Sequence, residues 1–307
     1  MIMNIKSKLF VFGVLSISLL IVIEIGLSYA NSSFAQTIKD QNSQKPQQSL
    51  KTNFSNNVFY NESGHFPVPN WWPNIEENVH THFNTNVTFP HIQSEAFINP
   101  FSIIIGNCYI GKFVLAAPTS VCRGDEGTPI FVGDLSNIQD GAVLHGLETT
   151  DDGKNLDNRR YSVNGDLLLG NDSRFDKGYS VYIGYNTSMA HDSMAHGPAW
   201  IGNNTFIGMK SIVFNAKVGN NVAVGISSTI TGGVQIPDNK YVPPGSTITN
   251  QSQADSLPNR IGSPYEKTNK AVVDVNTILA QEYQKLGMEK LAQLREDKME
   301  ESMMQIK

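Results

Sequence analysis

The chain has 307 residues, 17% of them charged, and a net charge of −5. That balance offers no basic face for nucleic acid, and two cysteines, Cys108 and Cys122, cannot make a disulfide framework. At 40% hydrophobic residues the chain suits one large soluble domain or two small ones.

Residues 1–30 read as a secretory signal peptide or an N-terminal anchor. Lys6 and Lys8 precede the apolar run Leu9–Ile23, and small residues follow at Ser28-Tyr29-Ala30. A run of about fifteen is short for a membrane span. The mature chain is therefore expected to be exported, to the extracellular or cell-envelope space; left uncleaved, the run would anchor it to a membrane. Asn-x-Ser/Thr sequons from Asn31 to Asn250 agree with that compartment, although an Asn- and Ser-rich chain supplies several by chance. Residues 31–90 read as a flexible or irregular extension. Its first half has little to bury, and its second half holds Trp71, Trp72, Pro67, Pro69, Pro73 and Pro90 with no period.

From residue 98 a six-residue period governs the chain. Aliphatic or small residues recur at Ile98, Ile104, Ile110, Ala116 and Cys122, then at Val132, Ile138 and Leu144. After an interruption the series runs from Ile183 through Met189, Ala195, Ile201 and Ile207 to Val213, and again from Val218 to Ile248. Six matches neither a helix nor a long flat strand. It matches short strands joined by tight turns, three to a coil, so that residues about eighteen apart stack at the interstrand spacing. The expected fold is mainly β, a parallel β-helix over residues 91–250. Residues 251–307 read as a C-terminal helical segment packed along it. There Ala271, Val272, Val275, Ile278 and Leu279 mark an apolar face, and Gly287 marks a break before a second helix, Met288–Met304.

Phase then places the histidines. His145 follows repeat residue Leu144 and His196 follows Ala195, both on the third side of their coils, while 147–180 leaves the coil as a loop. If that loop returns in register, the two imidazoles stack on adjacent coils and can share one metal ion. His191, two positions after Met189, lies on the second side. A metal site needs a third good ligand, and a three-fold trimer of prisms would bring the second side of one chain to the third side of the next. His65, His80, His82 and His91 read as solvated side chains, His80 and His82 at most as a weak chelating pair.

These residues carry a resemblance. Residues from about 96 to 285 resemble the gamma-class carbonic anhydrases, through Cys122-Arg123-Gly124-Asp125-Glu126-Gly127, Phe131-Val132-Gly133-Asp134, Asn137-Ile138-Gln139-Asp140-Gly141 on to His145 and Glu148, Ala190-His191, His196-Gly197-Pro198, Phe206-Ile207-Gly208-Met209 and Val272-Val273-Asp274-Val275-Asn276. The resemblance implies a left-handed coil, a homotrimer and reversible hydration of carbon dioxide by a hydroxide held on a metal ion, at a site shared between subunits. It implies His145 and His196 as metal ligands from one subunit and His191 from the next. Gln139 matches the residue that hydrogen-bonds the hydroxide, and Asn276 the one that positions carbon dioxide. Glu126 matches a proton-path carboxylate, Glu148 the proton shuttle, and Arg123 with Asp140 a charge pair that helps hold the trimer. Three imidazoles suit zinc, ferrous iron or cobalt alike. The loop 149–180 looks longer than in the family prototype, and the extension before residue 90 finds no counterpart.

Two rival readings stay open at this point. A hexapeptide-repeat acyltransferase would share the coil but use one catalytic histidine and acyl-coenzyme A. A structural or bicarbonate-binding subunit of a larger assembly would share the family's chain without its activity.

Overall fold

Every repeat residue named above, from Ile98 to Ile248, is buried in one continuous core. In the computed structural model the described residues are 74–147, 150–151, 154–155 and 158–304. The signal or anchor segment, the first part of the extension and Glu148 lie outside them.

Short parallel strands stack in three columns, which form the three faces of a prism. The first face carries His91–Ile92, Cys108–Ile110, Ile130–Val132 and Val181–Ile183. The second carries Phe97–Ile98, Leu115–Ala116, Asn137–Ile138, Ser188–Met189, Phe206–Ile207, Ala223–Val224 and Tyr241–Val242. The third begins at Ile75–Glu76, inside the segment read as irregular, and continues through Ile103–Gly106, Val121–Gly124 and Val143–His145. The longer strands Met194–Ile201 and Ile212–Val218 turn a corner and serve the third face and then the first.

The corners explain the period. Asn186, Asp192, Asn204, Lys210, Asn221 and Ser227 stand at φ of 53 to 59°, a left-handed conformation that Asn and Asp tolerate best. Buried hydroxyls one coil away satisfy corner carbonyls: Thr187 Oγ1 donates to Gly202 O and Thr205 Oγ1 to Gly219 O, both at 2.8 Å. At Gly184 the coils approach so closely that a Cβ would meet the Asn203 backbone nitrogen at 2.7 Å.

On the outside of the first face the rings of His91, Tyr109, Phe131, Tyr182 and Trp200 stack one per coil. Successive centroids lie 4.9, 4.9, 5.0 and 5.7 Å apart, with interplanar angles of 6 to 9°. Burial pushes the Tyr182 phenol up to about 12. The excursion after residue 147 contains two antiparallel ribbons, Thr150–Asp151 with Lys154–Asn155 and Arg159–Tyr161 with Leu167–Leu169, and the second packs over this column through Tyr161. It is tied down where Lys217 Nζ donates to Gly165 O at 2.8 Å and where Arg159 Nη1 donates to Asn215 Oδ1 at 2.8 Å.

A short helix α1 (Gln251–Asp255) closes the coil, capped by Asn250. Helix α2 (Thr268–Met304) is continuous through Gly287, which corrects the expected break. Nothing lies within 4 Å of a Cβ built at Gly287, and one exposed glycine costs a helix only about 1 kcal/mol. The face α2 buries also differs from the expected one. Among the described residues, Val273 and Ala280 are its buried apolar side chains. Asn269 Nδ2 donates to Asn186 O at 2.8 Å and Gln284 Nε2 to Ser94 O, and these tethers set the helix's rotation. Val275 and Ile278 therefore point away from the coil, 55% and 58% exposed, while Leu279, 38% exposed, stands at the edge of the helix–coil contact.

The core pattern carries a test. Ile207 is fully buried between coils, so Ile207→Ala should lower unfolding free energy by about 2–5 kcal/mol in a denaturant titration.

Candidate active site

On the third face Val143–His145 pairs with Met194–Ile201, and the register sets His145 opposite His196. The excursion between them has returned in phase. Strand alternation turns Leu144 and Ala195 inward and both histidines outward. His145 Nδ1 lies 3.0 Å from His196 Nε2, with the rings edge-to-face at 84°. In neutral rings one nitrogen donates this hydrogen bond and the other accepts it. Phe214, on the next coil, packs edge-on against His196 with centroids 5.3 Å apart.

The pair fits one metal ion. Two nitrogens each about 2.0–2.1 Å from a tetrahedral ion stand roughly 3.3 Å apart, so a slight opening of the rings seats both. The mouth is sheltered, since the His145 side chain is 16% exposed.

Beside the pair lies the turn after Val121–Gly124. Asp125, Glu126 and His145 offer ligand atoms within 4.8 Å of one another, which would suit a cation by position. A cation is there already. Arg123 Nε lies 3.0 Å from both Asp125 oxygens and Nη2 lies 3.1 Å from Glu126 Oε1, the same oxygen that faces His145 Nε2 at 3.3 Å. Guanidinium against carboxylates satisfies their charge, so this cluster reads as a carboxylate–imidazole network and not as a second ion site.

The other half of the predicted set stands on the second face. Gln139 and His191 follow Asn137–Ile138 and Ser188–Met189, while Asn276 comes from α2. They share a cavity of about 390 Å³ with Asp140, walled by Phe97, Leu115, Leu279 and Tyr283. His191 Nδ1 lies 3.0 Å from Asp140 Oδ2, and its side chain is 49% exposed. Gln139 is buried, and its Nε2 donates to Asn137 Oδ1 at 2.9 Å, while Asn137 Nδ2 donates to Ser188 Oγ at 3.0 Å. That chain aims the Gln139 carbonyl oxygen outward as an acceptor. Asn276 Nδ2 donates to Val272 O of its own helix at 2.8 Å, which leaves its Oδ1 for other partners.

One chain thus brings together His145, His196, Glu126 and Arg123 on one face and Gln139, His191, Asp140 and Asn276 on another. Glu148 falls outside the described residues. The pair Arg123 and Asp140 is not made within one chain: Arg123 holds Asp125 and Glu126, and Asp140 faces His191. Arg123 is on the third face and Asp140 on the second, so only a contact between copies would join them. Phe214 escaped the sequence reading, although it sits eighteen residues after His196, where the coil period sets it on the same outward row.

No protein-family model matches the chain. The chain is similar to the carbonic anhydrase of Methanosarcina thermophila, 45% identical over 212 residues, which is 68% of this chain and 81% of that protein. It is also similar to the carboxysome assembly protein CcmM of a Nostoc species, 43% identical over 178 residues, which is 58% of this chain and 28% of that one. Among solved structures, a putative acetyltransferase of Bacillus cereus matches with a TM-score of 0.50 at 20% identity, over 69% of this chain and 99% of that one. That likeness bears on the fold alone, a parallel β-solenoid of the hexapeptide-transferase type.

Two variants separate the histidine pair from the carboxylate cluster as the ion site. His196→Ala should abolish tight binding of zinc or cobalt in equilibrium dialysis, whereas Asp125→Ala should retain it; the opposite result would move the ion to Asp125, Glu126 and His145.

Proposed function

We propose that this chain, which belongs to the gamma-class carbonic anhydrase family and is a lyase of that class, carries out the reversible hydration of carbon dioxide at a metal site shared between two copies of itself. The observation that carries the shared site is the split of its residues between two faces. Two imidazoles meet on the third face, while His191 stands on the second face beside Gln139 and Asn276.

The faces suit each other. Around the histidine pair the third face exposes Ile103, Ile212 and Phe214, each 38 to 42% accessible in a single chain. Beside the cavity on the second face, α2 exposes Val275, Ile278 and Leu279. Joining unlike faces generates a ring, and three prisms close it with three equivalent sites. We read the protein as such a homotrimer with the left-handed coil of its class.

A divalent ion, whether zinc, ferrous iron or cobalt, would be held by His145 and His196 of one copy and His191 of the next, and would supply the Lewis acidity that activates water near neutral pH. The chain's own residues do the rest. Gln139, its amide fixed through Asn137, accepts a hydrogen bond from the attacking oxygen and orients it. Asn276 and the apolar wall of Phe97 and Leu279 hold carbon dioxide, a small molecule with no charge to solvate. Glu126, gripped by Arg123 and facing His145, takes the proton inside the site. Glu148, at the start of the excursion, passes it to solvent as a general acid–base group. Arg123 of one copy and Asp140 of the next join across the interface.

Export remains part of the same reading. It rests on the basic, apolar and small-residue order of residues 1–30, with anchoring to a membrane if that segment is kept. Among the described residues no helix is long and apolar enough to cross a membrane.

Stopped-flow carbon dioxide hydration by anaerobically purified protein, with metal content on the same sample, tests the whole reading; activity with about three metals per trimer is expected. His191→Ala and His196→Ala should each be inactive. Trimers assembled from an equal mixture should regain activity at about a quarter of their sites, and complete absence of rescue in verified mixed trimers would sink the shared site. Glu148→Ala should lower turnover at low buffer concentration and recover at high imidazole; a loss independent of buffer would remove Glu148 from the shuttle role.

A further inference from the structure

We propose that Asn84, in the N-terminal extension, is a positioning residue for the proton path: it clamps the turn at Asp125 and so sets where the Glu126 carboxylate stands. This rests on the reading of Glu126 as the carboxylate that takes the proton.

The turn is an addition to the coil. Ile103 pairs with Val121 at the regular offset of 18, but Cys108 pairs with Ile130 at an offset of 22. The excess lies between Gly124 and Ile130, where the turn leaves the ladder and its backbone at Asp125 must find other partners. Asn84 Nδ2 supplies one, donating to Asp125 O at 2.9 Å across 41 residues of sequence. The contact is sheltered, with Asn84 only 6% exposed. The Arg123 side chain, which holds the same turn by charge, is 42% exposed, so water weakens its grip.

A clamp is useful only if it is itself fixed, and Asn84 is. Asn84 N donates to Thr81 Oγ1 and Thr81 N to Asn84 O, both at 2.9 Å. The base of the loop is closed by Asn78, which is 2% exposed. Its Nδ2 donates to Asn86 O at 2.9 Å, and its Oδ1 accepts from Thr88 N at 2.9 Å and Thr88 Oγ1 at 2.8 Å. The loop leaves directly from Ile75–Glu76, which pairs with Ile103–Gly106 on the face that carries the histidines. Asn78 also packs on that face so closely that a Cβ at Gly106 would come within 3.1 Å of its Cβ. Thus a rigid part of the coil reaches through the extension to the turn that carries Glu126. The carboxylate contacts His145 at 3.3 Å and Arg123 at 3.1 Å. A turn free to shift by about 1 Å would lose both contacts, since hydrogen bonds fade beyond about 3.5 Å.

The experiment compares full-length Asn84→Ala and Asn84→Asp with the parent, each loaded with metal to the same content. The aspartate keeps the shape but loses the N–H donor, and it serves if the alanine variant fails to fold. At low buffer, kcat should fall about fivefold, the worth of one sheltered hydrogen bond. High imidazole should restore kcat, and kcat/KM should stay unchanged, because carbon dioxide hydration itself does not use the proton path. Adding Asn84→Ala to Glu126→Ala should cause no further loss. Unchanged kcat at low buffer, or an equal fall of kcat and kcat/KM at every buffer concentration, would overturn the clamp. If Glu126→Ala itself shows no buffer-dependent loss, the role of Glu126 fails and the clamp with it. If Glu126→Ala shows that loss and Asn84→Ala does not, the clamp alone fails.

Discussion

Everything in this molecule depends on coil-to-coil register. Each hexad turns one side chain inward, and the ladder beside it holds that residue against its counterpart one coil away. A slip of one residue would send Leu144 outward and His145 into the apolar core, where an unpaired imidazole is costly. The cores on either side therefore make the phase self-correcting. His145 and His196 lie 51 residues apart in sequence and 3.0 Å apart in space. Loop closure grows only slowly with length, about 0.6 kcal/mol per doubling, so a long excursion costs little provided both ends keep phase.

The same register separates the two halves of the site. A prism face presents one row of outward residues per strand position, so groups on the second and third faces cannot converge within a chain. His191 sits against Asp140 and His145 against Glu126, each with a carboxylate beside it. Such partners fix the orientation of a ring before an ion binds, and that raises ligand basicity once it does. In the proposed homotrimer, where a second copy completes the site, assembly and activity are one event.

The core was legible in the sequence because its signal is periodic: the inward residues from Ile98 to Ile248 and the pairing of His145 with His196 follow from counting sixes. Position on a face was legible too, which is why His191 could be set apart from the other two. What escaped lies where the period is silent. The rotation of α2 is set by Asn269 and Gln284, polar tethers to backbone carbonyls, and counting apolar residues at helical spacing chose Val275 and Ile278 instead. Gly287 looked like a break because propensity was weighed without the rest of a 37-residue helix around it. The bond from Asn84 to Asp125 joins two irregular segments and has no sequence signature. Roles at the level of Gln139, Asn276 and Glu148 came from the family resemblance, since no spacing alone distinguishes a glutamine that orients a nucleophile from one that fills a corner.

The excursion shows how a long insertion serves a site without loosening it. Its start is pinned where Thr128 Oγ1 donates to Leu147 O at 2.6 Å and Leu147 N donates to Ser180 Oγ at 3.1 Å. Its body rests on the aromatic column, where Tyr161, Tyr182 and Trp200 form a small second core. Its far side is held by Lys217, which also lies 5.0 Å from the Trp200 ring centroid. Thr128 links the turn that bears Glu126 to the root of the excursion at Leu147. The turn that bears Glu126 and the root of the excursion therefore share one anchored junction, so that neither shifts without straining the bonds at Leu147.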